Sequence, residues 1–203
     1  MSEPMSAWRR KGAWDRLAVP GRSGAESADP GVIVTPRHDL FVACVIGGES
    51  GALTDHFGNR YGIEPPQTPC IVSGETLDLV WAGPSQWLAL SARPGMPAEL
   101  AADLKTLGAV SDQTDARAIL RLSGQRVRDA LAKGCPVDLH ARSFRRGDTF
   151  ITAIGGIGVQ VWWADADDAW HLAVPRSMAG SFWSWLLPSA QEFGVEVLPA
   201  KRS

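Results

Sequence analysis

Residues 115–140 read DARAILRLSGQRVRDALAKGCPVDLH, a strand followed by a helix with both ends punctuated. In residues 118–122 the apolar Ile119, Leu120 and Leu122 make a strand-length run, and Arg121 fits the opposite face or an edge. Ser123 and Gly124 break the run, and either can cap a helix start. Val127, Ala130 and Leu131 then recur at helical spacing, with Arg126, Arg128, Asp129 and Lys133 on the other face. Gly134 stands where a helix end calls for a left-handed residue, and Pro136 prevents continuation. No nucleophile with a neighbouring base and no glycine-rich phosphate loop interrupts this unit.

Outward from it, the same alternation recurs on both sides. Upstream, residues 40–46 (LFVACVI) form a continuous apolar strand, and residues 50–61 form a helix using Leu53, Phe57 and Tyr61. Residues 77–82 and 87–92 are strands joined by Gly83-Pro84-Ser85, and residues 97–107 are an amphipathic helix with Pro97 at an early position. A second round begins at Val110. Downstream, strands at 149–154 and 158–163 flank Gly155-Gly156, and another spans 170–174. Met178, Phe182, Trp185, Leu186 and Phe193 mark a final helix, which Pro188 should kink or divide.

The two rounds match. Trp81-Ala82 precedes Trp87-Leu88-Ala89-Leu90 as Trp163-Ala164 precedes Trp170-His171-Leu172-Ala173-Val174, at an offset of about 82 residues, the mark of an internal repeat. Both halves read strand, helix, loop, strand, strand, helix. The expected fold class is therefore α+β, with two pseudo-duplicated split-βαβ (ferredoxin-like) halves sharing one core.

Residues 1–38 are rich in Gly, Ser, Pro and charge, and are expected to form an extended N-terminal arm ahead of a single domain at 39–203. Trp8 and Trp14 are out of character there, because large aromatic rings gain nothing from staying wet. Either they fold back on their own domain or they anchor the arm on another chain, which makes both candidate interface residues. Nine tryptophans in 203 residues exceed what a compact core needs, and that favours a partner protein.

Hydrophobic residues are 45% and charged residues 21% of the chain, with a net charge of −2. This balance gives no case for nucleic acid or an anionic membrane as partner, and no run approaches membrane-spanning length. The first 17 residues hold no apolar core of signal-peptide length, so a cytoplasmic location is expected. Charge is nevertheless uneven, with eight basic and two acidic residues between Arg117 and Arg146. That stretch is either a solvated basic face or a patch for an acidic partner or anionic ligand.

Candidate chemistry is thin. Cys44, Cys70 and Cys135 make neither a disulfide framework nor a zinc ribbon, and Cys135 with His140 is an incomplete metal pair. Gly155-Gly156-Ile157-Gly158 is followed by the strand-like VQVWW, which suits a hairpin turn rather than a dinucleotide loop. His38, His56, His140 and His171 share no helical face, and His171 suits a satisfied surface or interface position better than a base. Ser123 lacks a nucleophile-elbow frame. Asp112 and Asp115 suit turn formation better than an amine site. Asp165, Asp167 and Asp168 make an acidic tip without a calcium ligand pattern. No catalytic, cofactor-binding or metal residue is expected on this chain.

WAGPSQWLAL at 81–90, VSDQTDARAILRLSG at 110–124, LAKGCPVDLH at 131–140 and VPRS…FWSWL…EFG at 174–194 together resemble the gamma subunit of heterotetrameric sarcosine oxidases. The resemblance covers most of residues 30–197, and GCPVDLH is its most specific part. The central segment is also similar to the folate-binding aminomethyltransferase domain of the glycine cleavage system. The resemblance implies a small non-catalytic subunit working with alpha, beta and delta subunits, which would carry FAD, FMN, NAD, zinc and tetrahydrofolate. Such a complex oxidises sarcosine to glycine, giving hydrogen peroxide and formaldehyde or methylene-tetrahydrofolate. Two other readings stand beside it: the gamma-type subunit of a related dehydrogenase of N-methylated amino acids such as N-methylglutamate, or a free-standing folate- or anion-binding module.

Overall fold

The computed structural model describes residues 11–26, 29–48, 51–164 and 168–202. Two sheets lie face to face with helices on their outer sides. The first half runs β3 (Phe41–Gly47), α1 (Ala52–Tyr61), β4 (Ile71–Ser73), β5 (Asp78–Gly83), β6 (Gln86–Ser91), α2 (Met96–Asp103) and β7 (Gly108–Asp112). Its sheet has the order β4-β5-β6-β3-β7, and every pairing is antiparallel. The second half runs β8 (Arg117–Ser123), α3 (Val127–Ala132), β9 (Thr149–Ile154), β10 (Ile157–Ala164), β11 (Ala169–Pro175), α4 (Ala179–Gln191) and β12 (Val195–Val197).

The second sheet has the order β1-β12-β2-β8-β11-β10-β9, where β1 is Gly21–Ser23 and β2 is Val32–His38, with β13 (Lys201–Arg202) also pairing β2. Apart from β2, inserted between β8 and β12, the two halves have one strand order, that of a split βαβ unit. The matched tryptophans occupy matched places: Trp81 lies opposite Trp87, and Trp163 lies opposite Trp170. The expected pseudo-duplicated α+β fold is the one found.

Period-two alternation makes the layers. On β6, Trp87 and Ala89 join Leu53, Phe57, Met96 and Leu100 in a core beneath α1 and α2. Leu88 and Leu90 point the other way, into a middle layer with Val42, Val80, Ile119, Trp162 and Ala173. On the far side, Leu120, Leu122, Val161 and Leu172 pack against Val127, Leu131, Phe182 and Leu186 of α3 and α4. A side-chain link crosses between the sheets: Gln160, 4% exposed, donates from Nε2 to the Trp81 carbonyl at 2.9 Å.

The domain boundary expected at residue 38 does not hold. Strand β2 lies inside the larger sheet, between β8 and β12, and its Val32 and Val34 are fully buried. Its Pro36 lacks a backbone donor, yet it falls where that side of the ladder is interrupted: β12 ends opposite Val34 and β13 begins opposite Arg37. Trp14 is also no wet anchor. It is 1% exposed, packs against Trp183 at 6.2 Å and donates from Nε1 to the Ile119 carbonyl. Burial of so large a ring offsets the ordering of the residues around it. Trp8 lies outside the described residues.

Three local readings also change. Neither Ser123 nor Gly124 caps α3, whose N-cap position is Arg126 with no side-chain bond. Gly134 has no left-handed backbone. It is glycine because a Cβ there would lie 2.6 Å from the Trp185 ring. Helix α4 runs undivided through Pro188, where Ser189 Oγ donates to the Trp185 carbonyl one turn back.

Candidate functional site

Most of the single-residue candidates resolve into structural roles. Gly155 and Gly156 have φ of 57° and 81° and form the two-residue turn between β9 and β10, the geometry of a tight hairpin. Asp112 Oδ1 accepts the Thr114 amide at 2.8 Å, so it shapes a turn. Ser123 Oγ accepts from Arg121 at 3.1 Å. Asp168 accepts from Trp163 Nε1 and pairs with Arg146 at 2.7 Å, while Asp165 and Asp167 lie outside the described residues. His171 is not at the surface. It is 5% exposed and stacks on Trp162 at 5.3 Å, in the layer between the sheets.

The segment GCPVDLH is a self-bonded loop. Asp138 accepts the His140 amide at 2.9 Å and the Ser143 hydroxyl at 2.5 Å, and the Ser143 bond is the chief reason its carboxyl sits below the usual range. Cys135 faces the core, where burial pushes its thiol up, and His140 is exposed and accepts from the Arg142 amide. The two therefore serve separate ends of one loop. Among the described residues no group of three His, Cys, Asp or Glu could hold a metal ion.

The basic stretch from Arg117 to Arg146 does not form one patch. Arg126 pairs with Asp129 at 3.0 Å and covers Phe193, and Lys133 pairs with Glu192. Arg128 lies over Trp163 and Trp170, at 4.5 and 5.0 Å, in an aromatic cluster with Phe144. Cation–π contact fixes these guanidinium groups as much as charge does. Arg117 is set apart from them and faces a different region.

That region is a cavity of about 270 Å³ between residues 12–14 and strands β2, β3 and β8. Trp14, Leu40, Phe41 and Ile119 are among its apolar lining. Arg37, His38, Thr114, Arg117, Arg176 and Arg202 supply the polar groups. Arg37 makes a two-point pair with Asp39 at 2.7 and 2.9 Å. Asp15 meets Arg202 at 2.6 Å and His38 Nδ1 at 3.2 Å. Burial alone would raise the Asp15 carboxyl, but the Gly12 amide, Arg202 and His38 outweigh it and hold it low. Arg176 donates to the Lys11 carbonyl and lies 3.8 Å from Asp115. The Arg117 side chain has no hydrogen bond or ion pair among the described residues, and its Nε is sealed from solvent. Burial raises the Cys44 thiol, with Arg117 opposing the rise.

Of this lining, Trp14, His38 and Arg117 drew notice in the sequence, and the other three arginines did not. Arg37, Arg176 and Arg202 come from separate strands and loops, and only the insertion of β2 brings them to Arg117.

The fold places the chain among two-sheet α+β proteins built like an aminomethyltransferase. It superposes on the glycine cleavage system aminomethyltransferase T from Bartonella henselae with a TM-score of 0.59 and 13% identity, over 82% of this chain and 47% of that one. It also superposes on a chain of the heterotetrameric sarcosine oxidase from Corynebacterium sp. U-96, with a TM-score of 0.78 and 22% identity, over 91% of this chain and 96% of that one. At the level of sequence, the family described as sarcosine oxidase, gamma subunit, matches residues 49–192, and the chain belongs to that family. The sarcosine oxidase subunit gamma of Corynebacterium sp. (strain P-1) is 32% identical over an alignment of 138 residues that covers 64% of this chain and 66% of that protein. The subunit gamma of an Arthrobacter species is 31% identical over an alignment of 132 residues that covers 63% of this chain and 64% of that protein. The matched region thus spans just under two thirds of the length of these relatives. No helix among the described residues is long and apolar enough to cross a membrane.

Proposed function

We propose that the chain is the small, non-catalytic gamma subunit of a heterotetrameric, flavin-dependent sarcosine oxidase. In this reading it assembles with alpha, beta and delta subunits in the cytoplasm. Those partners carry FAD, FMN, NAD and zinc and bind tetrahydrofolate. The complex demethylates sarcosine oxidatively to glycine, releasing hydrogen peroxide and formaldehyde or methylene-tetrahydrofolate. The observation that carries the reading is the family match across residues 49–192, which reaches into both duplicated halves.

The residues support a scaffolding role. The glycine pair that could have suggested a dinucleotide loop is a hairpin turn, and the histidines sit in separate settings. Co-expression with the other three subunits, followed by affinity purification through this chain, tests the proposal. A yellow complex of four subunits that consumes sarcosine is expected. Recovery of this chain alone and colourless, with the other three assembled and active without it, would overturn it.

A further inference from the structure

We infer that the cavity beneath Trp14 is a binding site for a small organic carboxylate, with Arg117 as the group that receives its charge. Three observations carry this. The first is size: about 270 Å³ is close to the lower end, roughly 300 Å³, of pockets that enclose small molecules. The second is a mixed lining. Trp14, Phe41 and Ile119 supply apolar surface beside the arginines, while no aspartate or glutamate among the described residues lines the space. Such a surface suits a ligand with a short apolar body and disfavours inorganic phosphate, whose oxygens would lose water against it without new partners.

The third observation is a charge count. Arg37 is matched by Asp39, Arg202 and His38 share Asp15, and Arg176 has Asp115 and the Lys11 carbonyl. Arg117 alone among these has no described side-chain partner; its Nε is sealed, which leaves the rest of its half-buried guanidinium to meet a ligand in the cavity. A guanidinium meets a carboxylate through two parallel bonds. The structure thus holds a cation whose geometry asks for an anion of that shape.

Calorimetric titration of the purified full chain with benzoate, inorganic phosphate and benzylamine tests the site. This measurement needs no partner subunit, so its outcome is independent of whether the chain assembles into an oxidase. Saturable one-to-one binding of benzoate is expected, with phosphate and benzylamine weaker by about tenfold or more, the scale of one lost charge-assisted contact. Arg117→Met should weaken benzoate by a similar factor, and Arg117→Lys should fall between, because lysine keeps the charge and loses the planar fork. Absence of saturable benzoate binding overturns the inference, as does phosphate binding as tightly as benzoate. Unchanged affinity in Arg117→Met overturns it as well. Should that variant not fold, unchanged affinity in Arg117→Lys does the same.

Discussion

The indole Nε1 of Trp14 donates to the backbone carbonyl of Ile119 at 3.1 Å, across 105 positions of sequence. The bond joins a polar, glycine-bearing segment to the central strand of the larger sheet. Trp14→Phe keeps most of the apolar area and leaves the Ile119 carbonyl unmet, so a loss of about 1 kcal/mol is expected. Trp14→Ala should cost roughly 3–5 kcal/mol by analogy with other large-to-small core changes. Urea unfolding of the free chain measures both. A free chain of unaltered stability in Trp14→Ala would show that the ring serves a partner and not its own core.

Tyr61 is the only tyrosine, so its ionisation can be followed by phenolate absorbance without interference. Burial first, and then its bond to Asp103 at 2.8 Å, push its pKa up to about 12. The unfolded chain titrates near 10. The folded form therefore binds the proton more tightly, and the stability this contributes is intact below pH about 10 and lost as pH rises through about 12. Asp103→Asn should shift the absorbance midpoint down. A midpoint unmoved by that change would remove Asp103 from the cause.

The hairpin turn separates two kinds of glycine requirement. Gly155 and Gly156 both have left-handed backbones, but a Cβ on Gly155 would lie 2.6 Å from the Trp185 ring, while one on Gly156 meets nothing. Gly156→Ala should cost about 1–2 kcal/mol from backbone strain alone. Gly155→Ala should cost clearly more, since the ring must also move. Equal losses in chemical denaturation would mean that Trp185 gives way freely.

Gln160 is a side-chain link between the sheets. Gln160→Leu keeps its volume but strands the Trp81 carbonyl, for an expected loss of about 1–3 kcal/mol. Its hydrogen-exchange signature should be local, with faster exchange along β5 and β10. Uniform loss of protection across the molecule would argue that the link is not a local fastening.

Much of the repeat was legible because its strands are long and its tryptophans recur in register. Strands β3, β8, β9 and β11 fell within a residue or so of their expected places, since apolar periodicity reports burial directly. Strand β2 was not legible. Its VIVTPRH contains a proline that ordinarily excludes an inner strand, and only the break between β12 and β13 accommodates it. For Trp14 the sequence offers two readings, its own core or a partner chain, because its neighbours are polar and its partner Ile119 lies far along the chain. The cavity escaped notice for the same reason: Arg37, Arg117, Arg176 and Arg202 share a space only after the fold is complete. Local patterns could not announce a site made of distant residues.

The insertion of β2 has a consequence for how the chain is made. Synthesis runs from the N-terminus at about 5–20 residues per second. Val32–His38 leaves the ribosome well before β8, its first neighbour, and much earlier than β12 and β13, which close its other side. For that interval its backbone groups have no native strand to pair with, while the whole β3-to-β7 unit can already collapse. Unpaired strand edges are where foreign chains attach. Pro36, which interrupts the ladder in the finished protein, also blunts this segment as a template while it waits.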